Sequence, residues 1–437
     1  MNNANFNSLW GDAFTIPSST DELNGIKDKL TTSKKAVSKS ANKKLSLPEM
    51  LAQITQEVHR ILGRYVNQTV CIRDRETLHK YIDTAIENGI ISIDTETNNS
   101  LDPLTCKIMG LCLYTPNEKN AYIPINHVNN VLLARLENQL TEKDIEEELK
   151  RLNETKTILH NSDFDFQVIH YTCNTDINVY WDTMIGARLL NENEPAKLKT
   201  QYHTHIDPTQ DKYDIEHLFK GLPYEVIPPE LFALYAATDA YLTYRLYEYQ
   251  LKEFSKPDNK RIYELFRNVE MPILRVVSDM EMTGIALDEE FAKRLSLKYH
   301  NKLETADKEI YQELQKYTDT INEWKLSKEA QELVGKKTKA QQLSDPISIN
   351  SPVQLAILLY DILKVPVKDK KNPRGTGEEI LTLLTDYPIC KAILNKRGIE
   401  KLIGTYIDKL PKCRSTRDNR IHARFNSLGA DTGRMSS

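Results

Sequence analysis

Asp94 and Glu96 flank a single threonine in the tripeptide Asp-Thr-Glu, which closes the apolar, β-branched run Ile90–Asp94. Residues two apart on a strand point to the same side, so both carboxylates would face one pocket. Two anions that close repel each other, and a divalent cation between them makes the arrangement tolerable. A further acidic group follows the apolar stretch Thr157–His160, in Asn161-Ser162-Asp163-Phe164-Asp165. There Asn161 can cap a helix start or satisfy backbone groups at the turn, and Asp165 projects from the first helical turn, where the dipole favours an acid. Asp163 competes with it for any role. The third element is Tyr235-Ala236-Ala237-Thr238-Asp239. A spacing of four puts the phenol of Tyr235 and the carboxylate of Asp239 on one helix face, and Ala236, Ala237 and Ala240 keep that surface small. Each element alone has a plainer reading: solvated carboxylates at a strand end, an acid at a helix start, a tyrosine in a core. Their order along one chain carries the chemistry.

The elements that must position these groups are legible around them. Ile90–Asp94 reads as a buried strand, with Ile108–Tyr114 and Ala121–Ile125 as sheet partners and Thr157–His160 leading into a short helix. Leu132–Leu152 and Asp182–Leu190 have helical spacing, and a long helix is predicted over Pro229–Phe254, opened by prolines and closed near Ser255-Lys256-Pro257. The alternation predicts a mixed α/β domain. Beyond it helical patterns dominate: Lys260–Met282, Asp288–Leu314, Ser351–Leu363, Gly377–Leu384 and Tyr387–Lys409. Three segments are expected: a polar, mobile N-terminal arm over 1–46, an α/β domain over 47–255 and a mostly helical region over 256–437.

The six cysteines are scattered, with no zinc spacing, and are read as reduced thiols. No apolar run approaches the roughly 18 residues of a membrane span, and the N-terminus lacks the layout of a signal peptide, so a cytoplasmic setting is expected. The net charge of −4 hides an asymmetry. Residues 325–437 hold 21 Lys and Arg against 12 Asp and Glu, a balance of +9 that leaves −13 for the rest. An acidic front suits the gathering of cations and a basic rear the holding of phosphates.

Asp94 and Glu96 on the first strand, Asp165 behind Asn161, and Tyr235-x-x-x-Asp239 on a later helix resemble the DEDD exonucleases of the tyrosine subclass. The runs ISIDTETNNSLDP, YIPINH, ILHNSDFDFQVI, WDTMIGARLL and LYAATDAYLTYRL extend that likeness, from Gln68 to Phe254, to the proofreading domain of bacterial DNA polymerase I relatives. The resemblance implies an RNase H-like fold and a 3′-5′ exonuclease acting on DNA 3′ ends. It also implies that Asp94, Glu96, Asp165 and Asp239 bind two divalent ions, Mg²⁺ or Mn²⁺. By the same likeness Asp94 would bridge the ions, Glu96 and Asp239 would complete the tighter site, and Asp165 would hold the second through water. Tyr235 would orient the attacking water, Leu101 would wedge against the terminal base, Asn161 would support the pocket or contact the 3′ nucleotide, and Thr95 would take part in binding the substrate.

The rear half resembles the start of the palm and the thumb of family A DNA polymerases, through EMPILRVVSDMEMTGIALD, INSPVQLAILLYDILKVP, GTGEEILTLL, YPICKAILNKRGIEKLIGTYIDKLP and the closing GADTGRMSS. In the last of these, a TGR-x-SS segment, Arg434 would contact the primer or the minor groove. Gly284 is expected to supply a turn, and Asn350-Ser351-Pro352 a helix start with proline at its opening. Lys336, Lys337, Lys339, Lys368, Lys370, Lys371 and Arg374 sit on loops suited to tracking the phosphates of a primer-template duplex, with binding that weakens as salt rises. The family's palm aspartates and fingers helix lie downstream of TGR-x-SS. This chain alone is therefore expected not to synthesise DNA, and a second chain or a downstream segment would carry those parts, an arrangement reminiscent of phage replication polymerases working in a host cytoplasm. Two other readings stay open: a non-catalytic DNA-binding subunit of a split polymerase, and a stand-alone RNase D-like exonuclease, which gives no account of TGRMSS.

Overall fold

Alternation of apolar and polar side chains along one strand decides which face of the sheet becomes core and which becomes site. In the computed structural model, residues 46–98, 100–129, 132–209, 215–328, 330, 347–426, 429–430, 432 and 434–437 are described. The expected N-terminal arm falls almost wholly outside them, as do Lys336, Lys337 and Lys339. Six strands, β1 Thr69–Cys71, β2 Ile90–Thr97, β3 Ile108–Tyr114, β4 Asn120–Pro124, β5 Lys156–Leu159 and β6 Val179–Asp182, form one sheet in the order β1-β4-β3-β2-β5-β6. β2, β3 and β4 run as an antiparallel meander, β5 lies parallel to β2, β6 to β5 and β1 to β4. This is the α/β class expected. β2 is thus hydrogen-bonded on both edges and cannot slide without breaking two ladders.

Ile91 and Ile93 of β2, with Leu111, Leu113, Ala121 and Ile123, pack on one face against α2 (Arg75–Asn88), α3 (Glu142–Leu149) and α4 (Ser162–Cys173). Cys112 and Tyr122 point to the opposite face, where α1 (Leu47–Leu62) and the 26-residue α7 (Pro229–Phe254) cover them. Between α4 and α7 the chain forms α5 (Thr183–Leu190) and α6 (Leu198–His205). α5 meets α7 closely because Gly186 has no side chain: a Cβ there would stand 2.4 Å from Gln250 Oε1. Gln250 is buried and satisfied, its Oε1 accepting from Trp181 Nε1 at 2.8 Å and its Nε2 donating to Thr183 O at 2.8 Å. Fully burying each large apolar side chain contributes about 1.5–3 kcal/mol, so these two faces supply most of the stability.

Two differences from the expected elements have local causes. The helical spacing of Leu132–Leu152 is realised only from Glu142, because Thr141 and Asp144 form a reciprocal capping box that starts the helix there. The run predicted as one helix over Lys260–Met282 is α8 (Lys260–Leu265), a π-helical turn over Phe266–Glu270 and α9 (Met271–Thr283). Similar π turns follow α12 (Pro352–Ala356) and α14 (Pro388–Leu402). No described helix is long and apolar enough to cross a membrane.

By contact the chain divides into two units, one of residues 1–283 with 423–437, the other of 284–422. The second contains α10 (Glu289–Gln315), α11 (Thr318–Lys325), α12, α13 (Glu378–Thr382) and α14, and its core gathers Ile310, Trp324, Leu358, Leu381 and Ile389. Gly284, at φ 61°, makes the turn into β7 (Ile285–Ala286), which pairs with β8 (Arg420–Ile421); a Cβ at this glycine would meet Ile421 O at 2.9 Å. Pro352 opens α12 behind Ser351, whose hydroxyl accepts from Gln354 N. Cys413 of this unit is exposed, whereas Cys106, Cys112, Cys173 and Cys390 are buried and Cys71 is half-buried.

His127 is fully buried beside Tyr122, with Nδ1 2.9 Å from Ile227 O and Nε2 2.7 Å from Tyr122 Oη. A carbonyl only accepts, so Nδ1 carries the proton and Nε2 accepts from the phenol. Burial drives the ring's pKa down from 6.5 to about 3. Between those values the unfolded chain binds a proton that the native one refuses, so stability falls as pH falls through that window. His127→Gln should therefore flatten the acid side of the stability curve, removing up to about 1.4 kcal/mol of loss per pH unit. Urea unfolding of the two proteins at pH 7.5 and pH 5 measures that difference in slope; parallel curves would show that His127 takes up its proton equally in the native and unfolded states.

Candidate active site

The carboxylates of β2 face α7. Ser92, Asp94 and Glu96 alternate with Ile91, Ile93 and Thr95, and Asp94 lies opposite Cys112, Glu96 opposite Gly110, in the β2–β3 ladder. Oxygens of Asp94 and Glu96 and the Cys112 sulfur lie within 4.8 Å of one another. Gly110 leaves room above the strand for the Tyr122 ring, which a Cβ would meet at 2.3 Å. The floor of the site is therefore set by the pleat of two strands.

Asp165 reaches the same place from α4. Its Oδ1 accepts from the backbone N of Thr95 at 2.9 Å and from the Thr95 hydroxyl. Thr95 is thus buried between the two acids of β2 and holds the third. Asp239 comes from α7, where its Oδ2 lies 2.9 Å from Lys199 Nζ, on α6. Tyr235, one turn earlier, is buried against Phe219 and Phe232, and its ring centroid lies 4.8 Å from the same ammonium. Tyr235 and Asp239 therefore present one face to Lys199, as their spacing predicts.

The electrostatics couples several of these acids. Burial pushes Asp94 well above the ordinary carboxylate range, and Asp165, Glu96 and Asp239 add to the effect while Lys199 opposes it. Burial raises Asp165 to about 7, against two hydrogen bonds from Thr95 that pull it down. The Cys112 thiol is pushed far up by burial and then by Asp94, Glu96, Asp239 and Asp165, so it stays neutral. A neutral, soft thiol leaves four carboxylates as the donors, and an all-oxygen anionic set fits hard divalent ions. A divalent ion there would offset the cost of burial and, at Asp94, the repulsion from the neighbouring acids.

The structure separates Asp163 from Asp165. Asp163 Oδ1 accepts from Gln167 Nε2 at 3.0 Å and from Ser278 Oγ at 2.5 Å, and its Oδ2 lies 3.0 Å from Arg424. Arg424 also reaches Glu281 Oε2 at 2.8 Å. Asp163 is thus committed to α9 and the C-terminal segment. Asn161 sits at φ 66° with an exposed side chain that makes no cap bond. Asp182 does that work: its Oδ2 accepts from Ser162 N at 2.7 Å and its Oδ1 from Met184 N at 2.8 Å, so one acid starts both α4 and α5. Leu101, 86% exposed, and Arg434 lie open, whereas Asp165 is buried and Asp94, Glu96 and Asp239 are half-buried.

Sequence reasoning missed Lys199, Asp182 and Cys112. Asp182 was findable, as an aspartate before a helical run is a cap signal. Cys112 could be found only from the register that places it opposite Asp94, and Lys199 only from the folded arrangement of α6 and α7.

Comparisons with known proteins bear on the family. Residues 69–254 match the family described as 3′-5′ exonuclease, and residues 318–437 match DNA polymerase family A. DNA polymerase I of Chloroflexus aurantiacus is 28% identical over 378 residues, covering 84% of this chain and 36% of that protein. DNA polymerase I of Treponema pallidum is 28% identical over 459 residues, covering 96% of this chain and 41% of that protein. The chain therefore spans well under half the length of these relatives. The POL domain of Pol1 from M. smegmatis, solved in complex with DNA primer-template and dNTP, shares the fold with a TM-score of 0.58 at 18% identity, over 84% of this chain and 54% of that one.

Thr95→Val keeps the shape of the side chain and the amide bond to Asp165 but removes the hydroxyl donor. Without metal at pH 8, where Asp165 is largely ionised, it should cost about 1–3 kcal/mol in urea unfolding. An unchanged midpoint would mean that the hydroxyl contributes nothing to holding Asp165.

Proposed function

We propose, for a chain that belongs to family A of the DNA polymerases through its 3′-5′ exonuclease and polymerase segments, that the exonuclease segment removes nucleotides one at a time from DNA 3′ ends. What supports this reading is that oxygens of Asp94 and Glu96 lie with the Cys112 sulfur within 4.8 Å of one another, that Asp165 is bonded to Thr95 between them in sequence, and that Asp239 acts on Asp94 electrostatically. Those four side chains would hold two divalent ions, Mg²⁺ or Mn²⁺. When bound, such a pair supplies a water of lowered pKa and neutralises charge that develops on the phosphate and the departing 3′ oxygen.

The remaining work falls to the chain's own groups. Asp165, anchored by Thr95, and Asp94, fixed in a strand bonded on both sides, hold their oxygens in place before substrate arrives, so little reorganisation is needed. Tyr235 orients the attacking water with its phenol, from a ring immobilised by Phe219 and Phe232. Leu101 projects where an apolar wedge can rest on the terminal base, while Thr95 and Asn161 contact the 3′ nucleotide. The products are a nucleoside 5′-monophosphate and a strand shorter by one residue.

Residues 47–255 form the exonuclease domain in this reading, and residues 256–437 the start of the palm with the thumb. Lys368, Lys370, Lys371 and Arg374 then follow the phosphates of a primer-template duplex, and Arg434 contacts the primer or the minor groove. Polymerase palm and fingers, supplied by a downstream segment or a second chain, would complete a replication enzyme in which this segment proofreads.

Incubation of the chain with a 5′-labelled single strand and Mg²⁺ should yield a ladder that shortens from the 3′ end. Asp94→Ala should abolish it with an unchanged circular dichroism spectrum, and Tyr235→Phe should slow it about 10- to 100-fold. Persistent 3′ degradation by the folded Asp94→Ala protein would refute the assignment. Preferential degradation of RNA ends would favour an RNA-processing nuclease instead.

A further inference from the structure

The proposed mechanism makes no use of Lys199. A lysine is almost never buried unless paired, because desolvating an ammonium costs several kcal/mol. Lys199 retains only 8% exposure, sits at the second position of α6, and places Nζ 2.9 Å from the Oδ2 of Asp239, with the Tyr235 ring centroid 4.8 Å away. Its charge also acts on Asp94, whose ionisation it favours against three neighbouring acids. It is a monovalent cation delivered by the fold to carboxylates that await divalent ones.

We propose that Lys199 is a resident counter-ion of this site: it holds Asp239 while the divalent ions are away and competes with them for that carboxylate, thereby setting the metal concentration at which the site loads. The inference rests on reading Asp239 as a metal ligand. Any ion that takes the Asp239 oxygen must either lie close to the ammonium or displace it, and both cost free energy in a partly buried hollow. The face of Tyr235 offers the displaced ammonium a second seat, because an aromatic ring attracts a desolvated cation. A purely architectural ion pair between α6 and α7 makes the opposite forecast, since loosening the hollow would weaken metal binding.

The experiment titrates Mn²⁺ into the full chain and follows the signal of the free ion by electron paramagnetic resonance, for the wild type and for Lys199→Gln, Lys199→Met, Lys199→Arg and Asp239→Asn. Both neutral variants should bind Mn²⁺ at least about fivefold more tightly than wild type. They should also melt below it in EDTA and regain most of that loss in saturating Mn²⁺; Lys199→Arg, which keeps the charge, should bind like wild type. Unchanged or weaker affinity in the neutral variants, with affinity lost in Asp239→Asn, overturns the proposal and leaves the exonuclease reading standing. Wild-type affinity in Asp239→Asn would instead show that Asp239 is not a ligand, and both readings would fall together. Because Lys199→Met keeps the aliphatic stem, it answers the question should Lys199→Gln not fold.

Discussion

The burial of acidic groups beside one another is the constraint around which the first unit is built. Burial raises the pKa values of Asp94 and Asp165, and at Asp94 the neighbouring acids Asp165, Glu96 and Asp239 add to it. The opposing force is architectural. β2 is laced to β3 on one side and β5 on the other, α4 is tied to β2 through Thr95, and α7 is packed along its length on Tyr122, Phe219 and α1. No one of these contacts is unusual. Together they keep these carboxyl groups beside one another although burial disfavours their ionisation.

A set of buried polar residues away from the acids does the aligning. Asp182 ends β6 and begins both α4 and α5, so the two helices share one origin. Gln250 bridges the Trp181 indole and the Thr183 carbonyl and so fixes α7 lengthwise against α5. His127 does the same at the start of α7, joining Tyr122 to the Ile227 carbonyl. Each is satisfied on both sides, and a buried polar group with both partners specifies one arrangement where an apolar contact tolerates several.

Much of this was legible from residues alone, and unevenly so. The strands around Asp94 and the long helix carrying Tyr235 and Asp239 follow from short-range patterns: β-branched runs in one case, a proline-opened apolar stretch in the other. Their convergence follows from order along the chain. What stayed hidden depends on register or on long-range packing. A one-residue slip of β3 would turn Cys112 away, so its place opposite Asp94 could not be read from its neighbours. Lys199 lies in a polar stretch that looks like solvated surface and is buried only because α6 folds back onto α7. The helical spacing of Leu132–Leu152 misled for the opposite reason: periodicity continued past the point where a cap at Thr141 begins the helix.

The uneven distribution of thiols has a practical consequence. Five of the six cysteines are wholly or partly enclosed, and burial holds Cys71 near 12 and Cys106, Cys173 and Cys390 near 11, so they are poor nucleophiles at neutral pH. Cys112 is further silenced by the anions that surround it. Cys413 alone is open to solvent. A maleimide dye would therefore attach to the helical unit and leave the enclosed thiols of the α/β unit unlabelled, giving a single optical reporter without any engineering of the chain.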